Sequence, residues 1–172
     1  MAIPALDPQC ACDEIPQSQY GPVEDQEVLV RFLTDKHYKG TRLLNSAFKV
    51  RDIQADGVSL VRIGMMTAGE LQDAAEAVRR LMKASAVAGA LSLSAEQLRG
   101  LRHADGSRKL CVFDDPVIED EMLPDNPAHC MAVSPTGIDE ADALEIRDHL
   151  LGIFSEARDL DELWHRVNSA GA

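Results

Sequence analysis

Three residues of the chain combine the side-chain types that acid–base chemistry on an anionic substrate requires. His129 follows Asn126-Pro127 at the start of an apolar run, and His37 lies in a basic stretch near Arg42. A histidine exchanges protons near neutral pH, and an arginine holds a phosphate through two parallel hydrogen bonds. His37, Arg42 and His129 are therefore the candidate catalytic residues of an enzyme acting on a phosphate-bearing or nucleotide-like substrate. The alternative interpretation of His129 is a hydrogen-bonded structural residue of a strand.

No known nucleophile or nucleotide-binding signature accompanies these residues. The chain lacks Gly-x-Ser-x-Gly, His-Glu-x-x-His and both glycine-rich phosphate loops. Cys130 follows His129 directly, and adjacent side chains of a strand point to opposite faces, so this histidine does not activate that thiol. The spacing Cys10-Ala11-Cys12 is shorter than that of common zinc sites. We therefore expect no metal and no other cofactor, and we expect Cys111 and Cys130 to be buried thiols rather than disulfide partners.

Charged residues are segregated into two candidate binding segments. The chain has 17 Lys and Arg against 29 Asp and Glu, a formal net charge of −12. Residues 31–51 are nevertheless basic with Asp35 as their single acid, and residues 114–125 contain acids and no base. The candidate binding residues are Lys36, Lys39, Arg42, Lys49 and Arg51 in the basic segment, and Asp114, Asp115, Glu119, Asp120 and Glu121 in the acidic loop. The alternative for both segments is a solvated face.

The acidic loop also has an apolar side, formed by Val117, Ile118, Met122 and Leu123. Acidic and apolar groups together favour a protein contact, because charge steers association and apolar area holds the complex. The leading interpretation is a small acidic protein that acts through protein–protein binding, as an accessory subunit of a larger complex. A homodimer formed through the same apolar edge is a third interpretation. The net charge of −12 disfavours non-specific nucleic-acid binding.

The elements that would position these residues follow from hydrophobic periodicity and capping residues. Apolar runs predict strands over residues 28–33, 58–63, 87–93, 109–113 and 128–133. Capping patterns predict long helices that begin after Thr67 and Asp139, and short helices that begin after Ser94 and Asp159. The helices and strands do not alternate strictly. This pattern predicts an α+β fold with one sheet of about five strands and with the helices packed mainly on one face.

A length of 172 residues predicts a single domain. Prolines without apolar periodicity predict an extended arm over residues 1–25, followed by one domain over 26–168 and a frayed tail over 169–172. No apolar run reaches the roughly 18 residues that a membrane span requires. The first residues also lack the features of a signal peptide. We therefore expect a cytoplasmic protein that does not bind membranes.

Four short islands of the sequence carry a resemblance. They are Arg31-Phe32-Leu33, Ser46-Ala47-Phe48, Asp56-Gly57-Val58-Ser59-Leu60-Val61-Arg62 and Asn126-Pro127-Ala128-His129. Their order resembles that of small stand-alone bacterial proteins of uncharacterised activity. The resemblance implies a bacterial or phage origin and a shared fold, and it implies no activity. It places the expected partner in a bacterial or phage complex, with a defence-related role as one such setting.

Overall fold

The structure is a computed structural model that describes residues 17–134, 138–153 and 157–169. Its strands are β1 Val28–Thr34, β2 Tyr38–Lys39, β3 Arg42–Leu43, β4 Val58–Arg62, β5 Val87–Ser94, β6 Cys111–Asp114 and β7 His129–Val133. Its α-helices are α1 Ala68–Leu81, α2 Ala95–Arg99, α3 Glu140–Ile153 and α4 Leu160–Asn168. Most of the predicted arm, residues 1–16, and residues 170–172 of the predicted tail lie outside the described residues. None of the described helices is both long and apolar enough to cross a membrane.

Five strands form an antiparallel sheet in the order β5-β1-β4-β7-β6, and β2 pairs with β3 in a separate small hairpin. The predicted α+β fold with a five-stranded sheet is confirmed. β5 pairs with β1 along its whole length, whereas β1 and β4 pair only at Leu29–Arg62 and Val30–Val61. Beyond that point the guanidinium of Arg31 donates to the carbonyl oxygen of Ser59 at 2.9 Å. An arginine side chain thus replaces ladder hydrogen bonds where β1 and β4 separate.

Alternate residues of the central strands divide the core into two layers. Leu29, Leu33 and Leu60 pack with α2 and α3, whereas Val30 and Val61 pack with α1 and α4. The helices therefore cover both faces of the sheet, where the sequence analysis placed them mainly on one. The physical reason is that both sides of β1 and β4 are apolar, and each apolar face must be buried.

The predicted capping residues begin the helices. The Thr67 hydroxyl accepts a hydrogen bond from the Glu70 backbone N–H at 3.2 Å, and the Ser94 hydroxyl accepts one from Gln97 at the same distance. The Asp159 carboxylate accepts from two backbone N–H groups of α4. These side chains satisfy donors that have no partner inside a helix, so local sequence determines where the helices begin.

The outer edge of β5 is met by a later part of the chain. Ala90 and Arg158 exchange two backbone hydrogen bonds, each of 2.9 Å. The neighbouring Gly89 has φ +113°, and a Cβ atom there would lie 2.6 Å from the Arg158 carbonyl oxygen. Only glycine permits this close approach, because it lacks the Cβ atom and tolerates positive φ.

Residues 17–25, which the sequence analysis assigned to the extended arm, pack against the sheet. Two buried arginines bind their backbone: Arg62 donates to the carbonyls of Gly21 and Pro22, and Arg99 donates to that of Val23. Arg99 also forms an ion pair of 2.6 Å with the carboxylate of Asp25. These contacts join the segment to the domain that was predicted to begin at residue 26.

Candidate functional site

His129 is the predicted site residue that the structure places beside a cavity. It begins β7 and is 8% exposed, and its Nε2 atom lies 2.7 Å from the hydroxyl oxygen of Ser59 on β4. In the antiparallel register Val61 is opposite His129 and Ser59 is opposite Met131. Ser59 and His129 are therefore diagonal neighbours on the same face of the sheet, within reach of one hydrogen bond. Ser59 itself is exposed.

Asp115 lies on the other side of the imidazole ring. Its backbone oxygen is 2.5 Å from Nδ1 of His129, and its carboxylate Oδ2 is 3.5 Å from the same atom. Because a carbonyl oxygen can only accept a hydrogen bond, these partners assign the proton of a neutral His129 to Nδ1. Nε2 then offers its lone pair to the Ser59 hydroxyl, which donates to it.

A small, mainly apolar cavity of about 60 Å³ opens beside this pair. The polar side chains at its wall belong to Ser59, Asn126 and His129. Its apolar wall comes from the sheet, from α1 and from the acidic loop: Val30, Phe32, Val61, Ala74, Ala77, Val78, Val117, Leu123 and Pro124. The apolar lining suits the apolar part of a small ligand.

Asn126 presents a hydrogen-bond donor at this cavity. Its side-chain Oδ1 accepts from the Ala128 backbone N–H at 3.1 Å, which orients the amide. The Nδ2 group has no partner among the residues that the structure describes. The cavity therefore combines a hydroxyl, an imidazole and an amide N–H₂ in one apolar surrounding.

His37 and Arg42 do not line this cavity. His37 is 3% exposed, and its Nδ1 accepts a hydrogen bond from the Thr34 backbone N–H at 3.0 Å. Burial, with the charges of Arg31 and Lys49, lowers the pKa of His37 to about 4, so this ring is neutral at physiological pH. Arg42 is exposed in the β2–β3 hairpin. Of the three candidate catalytic residues, only His129 lies at the cavity.

Part of the basic segment forms an exposed, positively charged surface. Lys36, Lys39, Arg42 and Lys49 are exposed, and none of them forms an ion pair with a described residue. The hairpin register places Lys39 opposite Arg42. Arg51 differs, because it forms an exposed ion pair of 3.0 Å with Asp56.

Asp114 is a buried structural residue rather than part of an exposed acidic surface. It is 1% exposed and forms an ion pair with Arg62 at 3.1 Å. Its carboxylate also accepts hydrogen bonds from the Gln17 backbone N–H at 2.7 Å and from the Ser18 hydroxyl at 2.8 Å. Asp114 therefore connects β6 to the segment that precedes β1.

The other acids of the loop are divided between its own backbone and solvent. Asp120 Oδ1 accepts from the Met122 and Leu123 N–H groups, and Asp125 Oδ1 accepts from the Glu119 N–H. Glu119, Asp120 and Glu121 are exposed. The described part of the chain contains no cluster of His, Cys, Asp or Glu arranged to hold a metal ion.

The two strand cysteines differ. Cys130 is a free, buried thiol on the face opposite His129, as the strand alternation predicts, and burial raises its pKa. Cys111 is disulfide-bonded, so the expectation of a buried thiol there is wrong. Core size and the composition of the first residues do not decide the redox state of a single cysteine. Disulfides are typical of oxidising compartments, so the disulfide of Cys111 does not support a cytoplasmic location. That location stays a prediction.

Comparisons of the chain with protein-family models, curated proteins and solved structures found no match. Two residues of the cavity, Ser59 and Asn126, were not predicted from the sequence as site residues. Each had a signal. Ser59 is the one polar residue within the strand Val58–Val61, and Asn126 belongs to the island that precedes His129. Neither signal indicated the pairing with His129, because that pairing depends on the register of β4 against β7.

Proposed function

We propose that the protein acts by binding a protein partner through residues 117–125 of its acidic loop, as an accessory subunit of a bacterial or phage complex. The observation that supports this most strongly is the exposure of two large apolar side chains on that loop. Ile118 is 54% exposed and Met122 is 73% exposed. Apolar side chains rimmed by polar ones are typical of protein interaction sites.

The loop has a defined shape, which favours binding. Val117 and Asn126 exchange two backbone hydrogen bonds, of 3.1 and 2.8 Å, that close the loop at its base. The carboxylates of Asp120 and Asp125 hold the backbone between them. A loop that is already ordered loses little conformational entropy when a partner binds, so more of the contact energy becomes affinity.

The charge of the loop indicates the chemistry of the partner. Glu119, Asp120 and Glu121 lie between Ile118 and Met122 in the sequence, and no basic residue lies between Asp114 and Asp125. A basic surface with an apolar depression complements this arrangement. Exposed charges steer such an encounter, so the association rate falls as salt rises, whereas Ile118 and Met122 hold the complex.

The test compares two variants of the full chain in affinity capture from the native host. The double variant Ile118→Ser/Met122→Ser removes the apolar pair, and Leu81→Ser is the matched control because Leu81 is 48% exposed on α1. We expect the double variant to reduce the amount of a specific captured protein about tenfold or more, and the control to leave it unchanged. Capture at low and high salt separates steering from non-specific charge binding.

Three outcomes contradict the proposal. The first is a wild-type chain that is monomeric and captures no protein. The second is an equal loss of capture in Leu81→Ser. The third is a wild-type homodimer that the double variant dissociates, because the occupant of the loop is then a second copy of this chain.

A further inference from the structure

The pairing of Ser59 with His129 has the geometry of an activated nucleophile. An exposed hydroxyl lies 2.7 Å from an imidazole nitrogen, and the ring's other nitrogen faces Asp115. The carbonyl oxygen of Asp115 selects the tautomer in which Nε2 is free to take the serine proton. A nucleophile, a base and a group that orients the base are the three parts that acyl transfer requires.

The surroundings of the pair supply two further features that acyl transfer uses: an apolar place for the acyl group and a hydrogen-bond donor for the carbonyl oxygen. The small apolar cavity that Ser59 lines offers an apolar surface to a short acyl group. The Asn126 amide at the same wall has a donor, Nδ2, without a partner among the described residues, and such a donor stabilises negative charge on a carbonyl oxygen. We propose that Ser59, His129 and Asn126 form a hydrolytic site for small esters with a short apolar acyl group.

The reaction balances with water as the co-reactant. The Ser59 hydroxyl oxygen bonds to the acyl carbon while its proton passes to Nε2 of His129. The bond from the acyl carbon to the alcohol oxygen breaks, and the alcohol leaves with that proton. Water then attacks the acyl-serine and gives one proton to His129, and the carboxylic acid leaves as the proton returns to Ser59. One ester and one water become one acid and one alcohol, with no oxidation or reduction.

Each residue has a separate role in this site. Ser59 is the nucleophile, His129 transfers the proton, and Asn126 binds the carbonyl oxygen. Asp115 is a positioning residue, since it acts on the substrate only through the imidazole. The atom of Asp115 nearest to Nδ1 of His129 is its backbone oxygen, which Asp115→Ala retains. This variant therefore lowers kcat by less than His129→Gln does and leaves KM unchanged.

The first experiment uses the unaltered protein. Full-length chain is incubated with a fluorophosphonate probe, which reacts with activated serines, and the modified residue is identified by mass spectrometry of peptides. We expect the adduct on Ser59. Labelling of no serine, or labelling of the exposed Ser85 to the same extent, overturns the proposal without any variant.

The second experiment measures hydrolysis of p-nitrophenyl butyrate. Ser59→Ala and His129→Gln are expected to lower kcat/KM at least about a hundredfold, and Ser85→Ala to leave it unchanged. Circular dichroism and thermal unfolding show whether each variant is folded. If folded Ser59→Ala or His129→Gln keeps the wild-type rate, the hydrogen bond is structural only and the proposal is wrong.

The site and the proposed partner contact are distinguishable. The cavity is formed by the inward side of the acidic loop, through Val117 and Leu123, whereas the partner contact uses the outward Ile118 and Met122. The variant Ile118→Ser/Met122→Ser retains Ser59 and His129, so it tests partner capture alone. Fluorophosphonate labelling of the isolated chain tests the hydrolytic site alone.

Discussion

Arg62 donates a hydrogen bond to Asp114 across the sheet at 3.1 Å, and both side chains are only 1% exposed. Arg62 also donates to both carboxylate oxygens of Glu27, at 2.6 and 2.7 Å, and its guanidinium lies 5.9 Å from the ring centroid of Tyr20. The ion pairs with Glu27 and Asp114 raise the pKa of Arg62 and offset the effect of its burial. This buried charge cluster joins β4, β6 and the segment before β1.

Removing the cation of this cluster is expected to destabilise the protein strongly. Arg62→Met leaves the carboxylate of Asp114 buried without its counter-charge, which costs about 3–5 kcal/mol of unfolding free energy. Urea denaturation measures the difference. The control is Arg51→Met, which removes an exposed ion pair with Asp56 and is expected to cost less than about 1 kcal/mol. Similar losses in both variants would contradict the role assigned to Arg62.

The turn before β4 requires glycine for a steric reason beyond its backbone angle. Gly57 has φ +81°, and a Cβ atom there would lie 2.5 Å from Cγ of Met131. Gly106 has a similar φ of +87° but nothing within 4 Å, so it is the matched control. We expect Gly106→Ala to cost about 1 kcal/mol and Gly57→Ala to cost about 1–3 kcal/mol more, measured by urea denaturation. Equal costs would show that Met131 moves aside freely.

We expect the protein to become less stable as pH falls, and we expect His37 to account for part of this loss. The pKa of His37 is lowered to about 4 from its ordinary 6.5. As pH falls from about 6.5 towards 4, the unfolded chain binds a proton that the folded chain binds only weakly, so the free energy of unfolding decreases. His37→Gln removes this titration, and we expect its stability to vary less between about pH 7 and pH 5.

The pH range separates His37 from the carboxylates. Hydrogen bonds lower the pKa values of Asp35, Glu70, Asp105 and Glu145 below their ordinary values, so their stabilising contributions are lost at more acidic pH. The pH dependence of urea denaturation above about pH 5 therefore reports mainly on His37. A His37→Gln variant with the same pH slope as the wild type would contradict this assignment.

The last helix is expected to depend on one aromatic side chain. The Nε1–H group of Trp164 donates to the carbonyl oxygen of Met66 at 2.8 Å, and Trp164 packs with the α1 side of the core. Trp164→Phe keeps the ring but loses the hydrogen bond, so we expect a loss of about 1 kcal/mol in thermal or urea unfolding. Trp164→Ala is expected to cost more, because the apolar contacts are also lost. A phenylalanine variant as stable as the wild type would show that the hydrogen bond contributes nothing.

Local signals in the sequence predicted the elements but not their partners. The strand predicted over residues 28–33 is β1, Val28–Thr34, and the helix predicted after Thr67 is α1, Ala68–Leu81. Both follow from spacing and capping within a short stretch. The division of the helices between two faces could not be predicted in this way, since it depends on which strands become neighbours.

The candidate site was predictable only in part for the same reason. His129 was identified from its residue type and its position at the start of a strand. Its partner Ser59 is 70 residues away along the chain, and only the antiparallel register of β4 and β7 brings the two together. Burial also gives two of the candidate residues structural roles: Asp114 is an ion-pair partner of Arg62, and His37 is a neutral residue of the core.

The backbone exchange between Ala90 and Arg158 has a consequence for self-association. β5 has eight residues and is the outermost strand on its side of the sheet. An uncovered strand of that length would act as a template on which a second molecule could extend the sheet, and repeated extension produces fibrils. Here an incoming strand cannot continue past Ala90 unless it first displaces Arg158. The cost of that displacement makes this side of the sheet a terminus rather than a point of growth.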